Sequence, residues 1–151
     1  MTTTTTVAEL PSYRGKELGT SDWIEVTWDQ VTRFADASGD HQWVHGGDER
    51  DSLDSPVGGA IAHGYLTLSL LIPLRSQVLT VTDAGMTVNY GLNKVRFPAP
   101  VPVGSKVRLT ARLTELQEIK GGYQLTVDAV IEREGSDTPA CIAQPVYRYY
   151  A

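Results

Sequence analysis

Polar and apolar residues alternate strictly in the second half of the chain. In KVRLTARLTEL, Val107, Leu109, Ala111 and Leu113 fall on one side, and Arg108, Thr110, Arg112 and Thr114 fall on the other. That two-residue period predicts a strand with one face on a core. YQLTVDAVIE repeats it through Tyr123, Leu125, Val127, Ala129 and Ile131, and Gly121–Gly122 supplies a turn between the two runs. ACIAQPVYRYY reads as a last strand, with Pro145 pointing to a bulge or an edge because proline cannot donate to a ladder.

The first half has a different period. SDWIEVT predicts a short strand with Ile24 and Val26 on one face. Thr27 and Gln30 then form a T-x-x-Q capping box, and Val31, Phe34 and Ala35 follow at helical spacing. The helix should run from Trp28 to Ser38 and end at Gly39, which accepts a left-handed conformation. Asp48 to Asp54 could form one or two helical turns before SPVGG breaks the chain. From 62 to about 79 the sequence is apolar almost all round, which predicts a helix buried on most sides, kinked or shortened by Pro73. A long antiparallel sheet and one mostly buried helix make an α+β single domain, most simply with the sheet wrapped around the helix.

Composition narrows the function classes. The 151 residues suffice for one domain with a real core, and a net charge of −5 argues against a general nucleic-acid binder. The single cysteine, Cys141, excludes an internal disulfide, so a reducing cytoplasm is the expected setting and a small buried strand residue its expected part. The opening threonine tract has neither a basic start nor an apolar run, so it is no signal peptide. Residues 1–9 are expected to be a flexible leader to a domain over 10–151. Tyr65 to Leu74, the most apolar run, is about half of what a membrane span needs.

All three histidines, His41, His45 and His63, lie between Gly39 and Gly64. HQWVH has the spacing of the zinc motif HExxH, but Gln42 stands where a base is required and the segment is flanked by helix-ending glycines. No metal is therefore expected. Asp40 and His45 lie on one loop just past a helix end, where an imidazole and a carboxylate can share acid–base work, although local capping would explain them as well. Gly64 begins the apolar helix, where a backbone amide is open to an oxyanion; a tight turn into the helix is a fair competing account for His63 and a weaker one for Gly64.

FADASGDHQWVH and GGAIAHGYLTLSLL together resemble the hydratase motif of the MaoC-like, R-specific enoyl-CoA hydratases, which have the hot-dog fold. VNYGLNKVRFPAPVPVGSKVRL resembles the strand segment that follows the central helix in that family. The resemblance spans Phe34 to Leu109. It implies Asp40 and His45 as the catalytic pair and Gly64 as the oxyanion-hole glycine, with Gln42, His63 and Tyr65 beside them as further candidates for substrate contact. The implied reaction adds water reversibly to a trans-2-enoyl-CoA to give an R-3-hydroxyacyl-CoA. Coenzyme A is then part of the substrate, no separate cofactor is needed, and a homodimer is implied. Three departures stand out: Gln42 replaces a common asparagine and Trp43 the proline after it, Ile72 replaces a helix hydroxyl, and Gly46–Gly47 replaces a larger residue. The HQW form looks like the nodulation-protein-N-like subgroup. Arg33, Lys94, Arg96, Lys106 and Arg148 could meet the phosphates of coenzyme A. Two competing readings remain, a hot-dog thioesterase and a non-catalytic acyl-CoA binding module.

Overall fold

Helix α1 (Trp28–Ser38) follows from its local sequence. Thr27 Oγ1 accepts from the Gln30 amide at 3.1 Å, and the Gln30 side chain reaches back to the Thr27 amide at 3.4 Å. Gly39 closes the helix at φ 78°, donating to the Ala35 carbonyl at 2.9 Å. The computed structural model describes residues 2–41 and 59–151. The turns expected between Asp48 and Asp54 lie outside them.

Eight strands are described. These are β1 (Thr3–Thr5), β2 (Glu17–Thr20), β3 (Ile24–Glu25), β4 (Leu79–Val81), β5 (Met86–Arg96), β6 (Lys106–Ile119), β7 (Gly122–Arg133) and β8 (Cys141–Tyr150). The main sheet is antiparallel in the order β2-β6-β7-β8-β5, with β3 also paired to β6. The alternation read in the sequence is the face that packs inward: Val107, Leu109, Ala111 and Leu113 on β6 and Leu125, Val127, Ala129 and Ile131 on β7 are all buried. Register places Leu109 beside Ile131 and Ala111 beside Ala129. On the other face Arg108 pairs across the strands with Glu132.

The sheet packs on a helical segment made of α2 (Gly64–Ser69) and α3 (Leu71–Val78). Leu70 joins them in helical conformation, so the chain path is continuous. Leu66, Leu70, Leu71, Leu74 and Val78 are buried and form the core with the sheet. Pro73 sits in the first turn of α3, where a missing amide costs least. This is the expected α+β domain with an antiparallel sheet around a central helix.

One detail corrects the sequence reading, and two others sharpen it. The threonine tract is not a frayed leader: β1 pairs in parallel with β4, Thr3 and Thr5 are buried, and Thr3 Oγ1 donates to the Leu18 carbonyl at 2.6 Å. The chain then turns through a 3-10 helix, Val7–Tyr13, whose Val7 amide donates to Asp83 at 2.8 Å. Pro145 is not on an edge strand, because β8 lies between β7 and β5; register is irregular beside it, as a bulge requires. Among the described residues β2 and β5 are the outer strands of the main sheet; β5 has no alternating pattern and carries Met86, Tyr90 and Leu92 at 45–55% exposure, with Phe97 just beyond.

Candidate active site

Two chain segments are brought together at one end of the central helix. The first is the end of α1, where Gly39 turns the chain and leaves Asp40 half-buried on the following loop. The second is the entry to α2. Its approach is pinned by backbone hydrogen bonds, the Ala62 amide to the Val101 carbonyl at 2.8 Å and the Val103 amide to the Ala60 carbonyl at 2.9 Å. The segment 101–103 thus fixes where Gly64 begins the helix.

His63 joins the two. It is 2% exposed, its ring stacks on Phe34 of α1 with centroids 4.8 Å apart, and its Nε2 donates to the Asp40 backbone carbonyl at 2.9 Å. A carbonyl only accepts, so Nε2 carries the proton. This geometry makes His63 a tie that sets the Asp40 loop against the start of α2. Its burial leaves little surface for a substrate.

Gly64 has an ordinary helical backbone, so positive φ is not why glycine stands here. The reason is a close approach: a Cβ at this position would lie 3.0 Å from the Phe97 ring. Beside it opens a cavity of about 330 Å³, walled by Ile61, Ala62, Gly64, Thr67, Phe97 and Val101. The side chain at the N-cap, His63, does not cap the first turn of α2. Tyr65 is 73% exposed, so it belongs to the surface beside the site and not to the core.

Gln42 and His45 lie outside the described residues. His41 is exposed, with Nε2 3.8 Å from Asp36 Oδ1 on α1. Of the basic residues considered for phosphate contacts, Arg33 pairs with Asp29 at 2.9 Å, and Arg148 donates to Gln124 at 2.9 Å and stacks on Tyr90. Lys94, Arg96 and Lys106 are exposed. Cys141 is buried on β8 and desolvation pushes its thiol up to about 11, which makes it an inert core residue. The sequence reading missed Phe97. The turn-rich run FPAPVPVG was the available signal, marking a segment that crosses over the helix start.

Comparison with known proteins gives a consistent picture. Residues 10–134 match the family described as MaoC like domain. The chain is 49% identical over 152 residues to 3-hydroxyacyl-thioester dehydratase Z of Mycobacterium tuberculosis, covering all of both chains. It is 44% identical over 140 residues to Nodulation protein N of Rhizobium leguminosarum bv. viciae, covering 91% of this chain and 86% of that one. Among solved structures, an R-hydratase from Pseudomonas aeruginosa superposes with a TM-score of 0.76 at 20% identity, over 96% of this chain and 85% of that one. An (R)-hydratase from A. caviae superposes at 0.71 with 24% identity, over 89% and 94%. With its sheet, its central helix and these matches over most of its length, the chain belongs to the MaoC-like domain family and has the hot-dog fold.

Proposed function

We propose that this protein is an R-specific enoyl-CoA hydratase, a hydro-lyase that reversibly adds water to trans-2-enoyl-CoA. The observation that carries the reading is the juxtaposition of the Asp40 loop with the start of α2 through the His63 tie, in a chain half identical to a 3-hydroxyacyl-thioester dehydratase over its full length. In this reading the thioester carbonyl sits at Gly64, where the backbone amide holds the charge that builds on oxygen as the Cα carbanion character develops. Asp40 and His45 hold one water between them. They activate it for attack at Cβ and return a proton to Cα. Gln42 and Tyr65 border the substrate. Neither a metal nor a separate cofactor takes part.

A second copy of the chain would cover an exposed edge of the sheet. β5 offers an eleven-residue unpaired edge with large exposed apolar side chains, and an antiparallel pairing of β5 with itself would satisfy both edges by a two-fold axis. We assign the protein to the cytoplasm as a homodimer. Among the described residues no helix is long and apolar enough to cross a membrane.

A thioesterase would use the same ligand but send water to the carbonyl carbon. The helical segment from Gly64 to Val78 carries no carboxylate to direct that attack, which favours hydration. The test is incubation with trans-2-enoyl-CoAs of graded length, following conjugated-thioester absorbance and free thiol in parallel. Loss of absorbance without thiol supports the hydratase, and thiol release overturns it.

A further inference from the structure

Serine and threonine hydroxyls in the α-helices donate back to the preceding turn, with one exception. On α1, Thr32 and Ser38 donate to the carbonyls of Asp29 and Phe34 at 3.0 and 2.7 Å. Ser69 on α2 and Ser76 on α3 donate to those of Leu66 and Ile72 at 2.6 and 3.1 Å. Such back-bonding is the ordinary use of a helical hydroxyl. Thr67 departs from it. It is 2% exposed, and among the described residues its Oγ1 makes no hydrogen bond.

A buried hydroxyl without a partner is costly where the protein walls it in. Thr67 Oγ1 is not walled in, because Thr67 lines the cavity beside Gly64, one turn further along the same helix. Ala62, Val101 and Ala140 make the rest of the buried floor, while Phe97 and Pro100 form an exposed rim. Among the described residues Thr67 is the one polar side chain in this lining. The cavity is therefore an apolar passage from the surface to Gly64, with one available hydroxyl on its floor.

Distance decides which atom of a thioester Thr67 can meet. Three residues separate it from Gly64, about 4.5 Å of rise, and its side chain leans part of the way back. An oxygen held by the Gly64 amide lies about 3 Å beyond that nitrogen, on the N-terminal side. Oγ1 is then about 6 Å from the oxyanion position, too far to be a second donor to it. Asp40, which holds the reacting water in the hydratase reading, does not line this cavity. The group that fits is the first amide of a pantetheine arm. It lies four bonds from the thioester carbon, about 5 Å at roughly 1.2 Å per bond, and a hydrogen bond of about 3 Å closes the remainder.

Resting on the hydratase reading, which places the thioester at Gly64, we propose that this cavity admits the pantetheine arm and that Thr67 Oγ1 hydrogen-bonds its first amide. A hydrocarbon acyl chain offers the hydroxyl nothing, whereas every pantetheine thioester brings this amide at the same distance from the reacting carbonyl. The charged end of coenzyme A must stay in water, and the exposed rim gives the arm its way out. Thr67 is thus a substrate-binding residue that selects pantetheine thioesters and seats their carbonyl on Gly64.

The experiment compares the trans-2-butenoyl thioesters of N-acetylcysteamine and of pentanethiol, which has the same length without the amide. The expected kcat/KM preference of the wild type for the amide is on the order of tenfold, the range of one buried hydrogen bond. Thr67→Val keeps the shape and removes the hydroxyl. It should lower kcat/KM on the order of tenfold for the N-acetylcysteamine thioester and for trans-2-butenoyl-CoA, and leave the pentanethiol thioester unchanged or improved. Thr67→Ser should keep most of the preference. The melting temperature of Thr67→Val should move by no more than about 3 °C, since no hydrogen bond within the fold is lost. Calorimetric affinity for butanoyl-CoA, wild type against Thr67→Val, reads the same contact without any reaction. A protein that hydrates none of these thioesters, yet binds butanoyl-CoA more weakly as Thr67→Val, refutes the hydratase reading and supports the contact. A wild type that does not distinguish the two thioesters overturns the proposal. So does an equal loss on the pentanethiol thioester, which would put the hydroxyl against the acyl side, or a collapse of melting temperature, which would give it to the fold.

Discussion

Replacing Gly64 by alanine separates the chemistry of the site from the stability of the fold. The added methyl would lie 3.0 Å from two carbons of the Phe97 ring, tighter than ordinary contact. Phe97 is 40% exposed, so the ring can swing outward at modest cost. Opposing that cost, alanine is favoured over glycine inside a helix by about 1 kcal/mol, and by less in a first turn. The two effects nearly cancel, so the melting temperature should move by no more than about 3 °C for a chain of this size. Activity should not be spared. The methyl occupies the approach to the amide, and losing an oxyanion contact lowers kcat on the order of 10²-fold or more. The assay is the loss of conjugated-thioester absorbance with trans-2-butenoyl-CoA, alongside thermal unfolding. A Gly64→Ala, Phe97→Leu double variant checks the cause. Relief of the ring contact should not restore turnover if the methyl itself excludes the thioester. Near-normal turnover in Gly64→Ala, or full rescue by Phe97→Leu, would refute the assignment of Gly64 as the oxyanion position.

The acid–base pair yields a second expectation: Asp40→Asn and His45→Gln should each lower hydration on the order of 10²-fold, and the double variant should be little worse than the poorer single. Steady-state kinetics of all three settles it, with His41→Gln, exposed and directed at Asp36, expected to hydrate normally. Leu74→Ala, at a fully buried position on the helix, should cost about 2–5 kcal/mol in urea unfolding; a cost under about 1 kcal/mol would contradict the packing. Alkaline stability should fall above about pH 9. Desolvation raises the Cys141 thiol from 9.0 to about 11 and Tyr147 from 10.0 to about 12, so the unfolded chain loses these protons first and folding stability present below pH 9 is lost as pH rises through both windows. Cys141→Ala should flatten the part between pH 9 and about 11, worth about 2–3 kcal/mol, in melting curves recorded against pH. Dialysis against a strong chelator should leave hydration unchanged, and recovery of lost activity by added zinc would restore the metal reading of the histidines.

What was legible in the sequence was what neighbouring residues decide among themselves. Thr27, Gln30 and Gly39 determine both ends of α1 by local hydrogen bonds, so its bounds could be read directly. β6 and β7 alternate because one face of each meets the core. β1 and β5 gave no such signal. The polar Thr3 is buried because Leu18, fifteen residues on, offers a carbonyl, which no local pattern encodes. β5 lies at an edge, exposed on both faces, so its side chains have no reason to alternate. The same division holds at the site. Asp40 and Gly64 could be nominated by residue type and loop position, whereas the Phe97 cover and the His63 tie depend on contacts between segments that only the fold brings together.

The central helix explains how stability and specificity can coexist in so small a domain. Its inward face carries Leu66, Leu70, Leu74 and Val78, and the sheet covers them fully. In the reading proposed above, its first turn, which the His63 side chain does not cap, receives the reacting carbonyl. Its third face carries Leu68 and Arg75, both half-buried, on the side of β5 and β8. Each face meets a different partner, so substitutions on one should leave the others' readouts in place: core changes alter unfolding, and first-turn changes alter turnover. Sites more than about 7–10 Å apart with no shared partners combine additively. Leu74 and Arg75 are chain neighbours yet face different surroundings, so the pair tests this division at its closest point. Arg75→Leu, at a half-buried position, should cost little stability, and Leu74→Ala should carry the full cost of a core cavity. An Arg75→Leu variant that lost as much stability in urea unfolding as Leu74→Ala would show that the two faces are one unit.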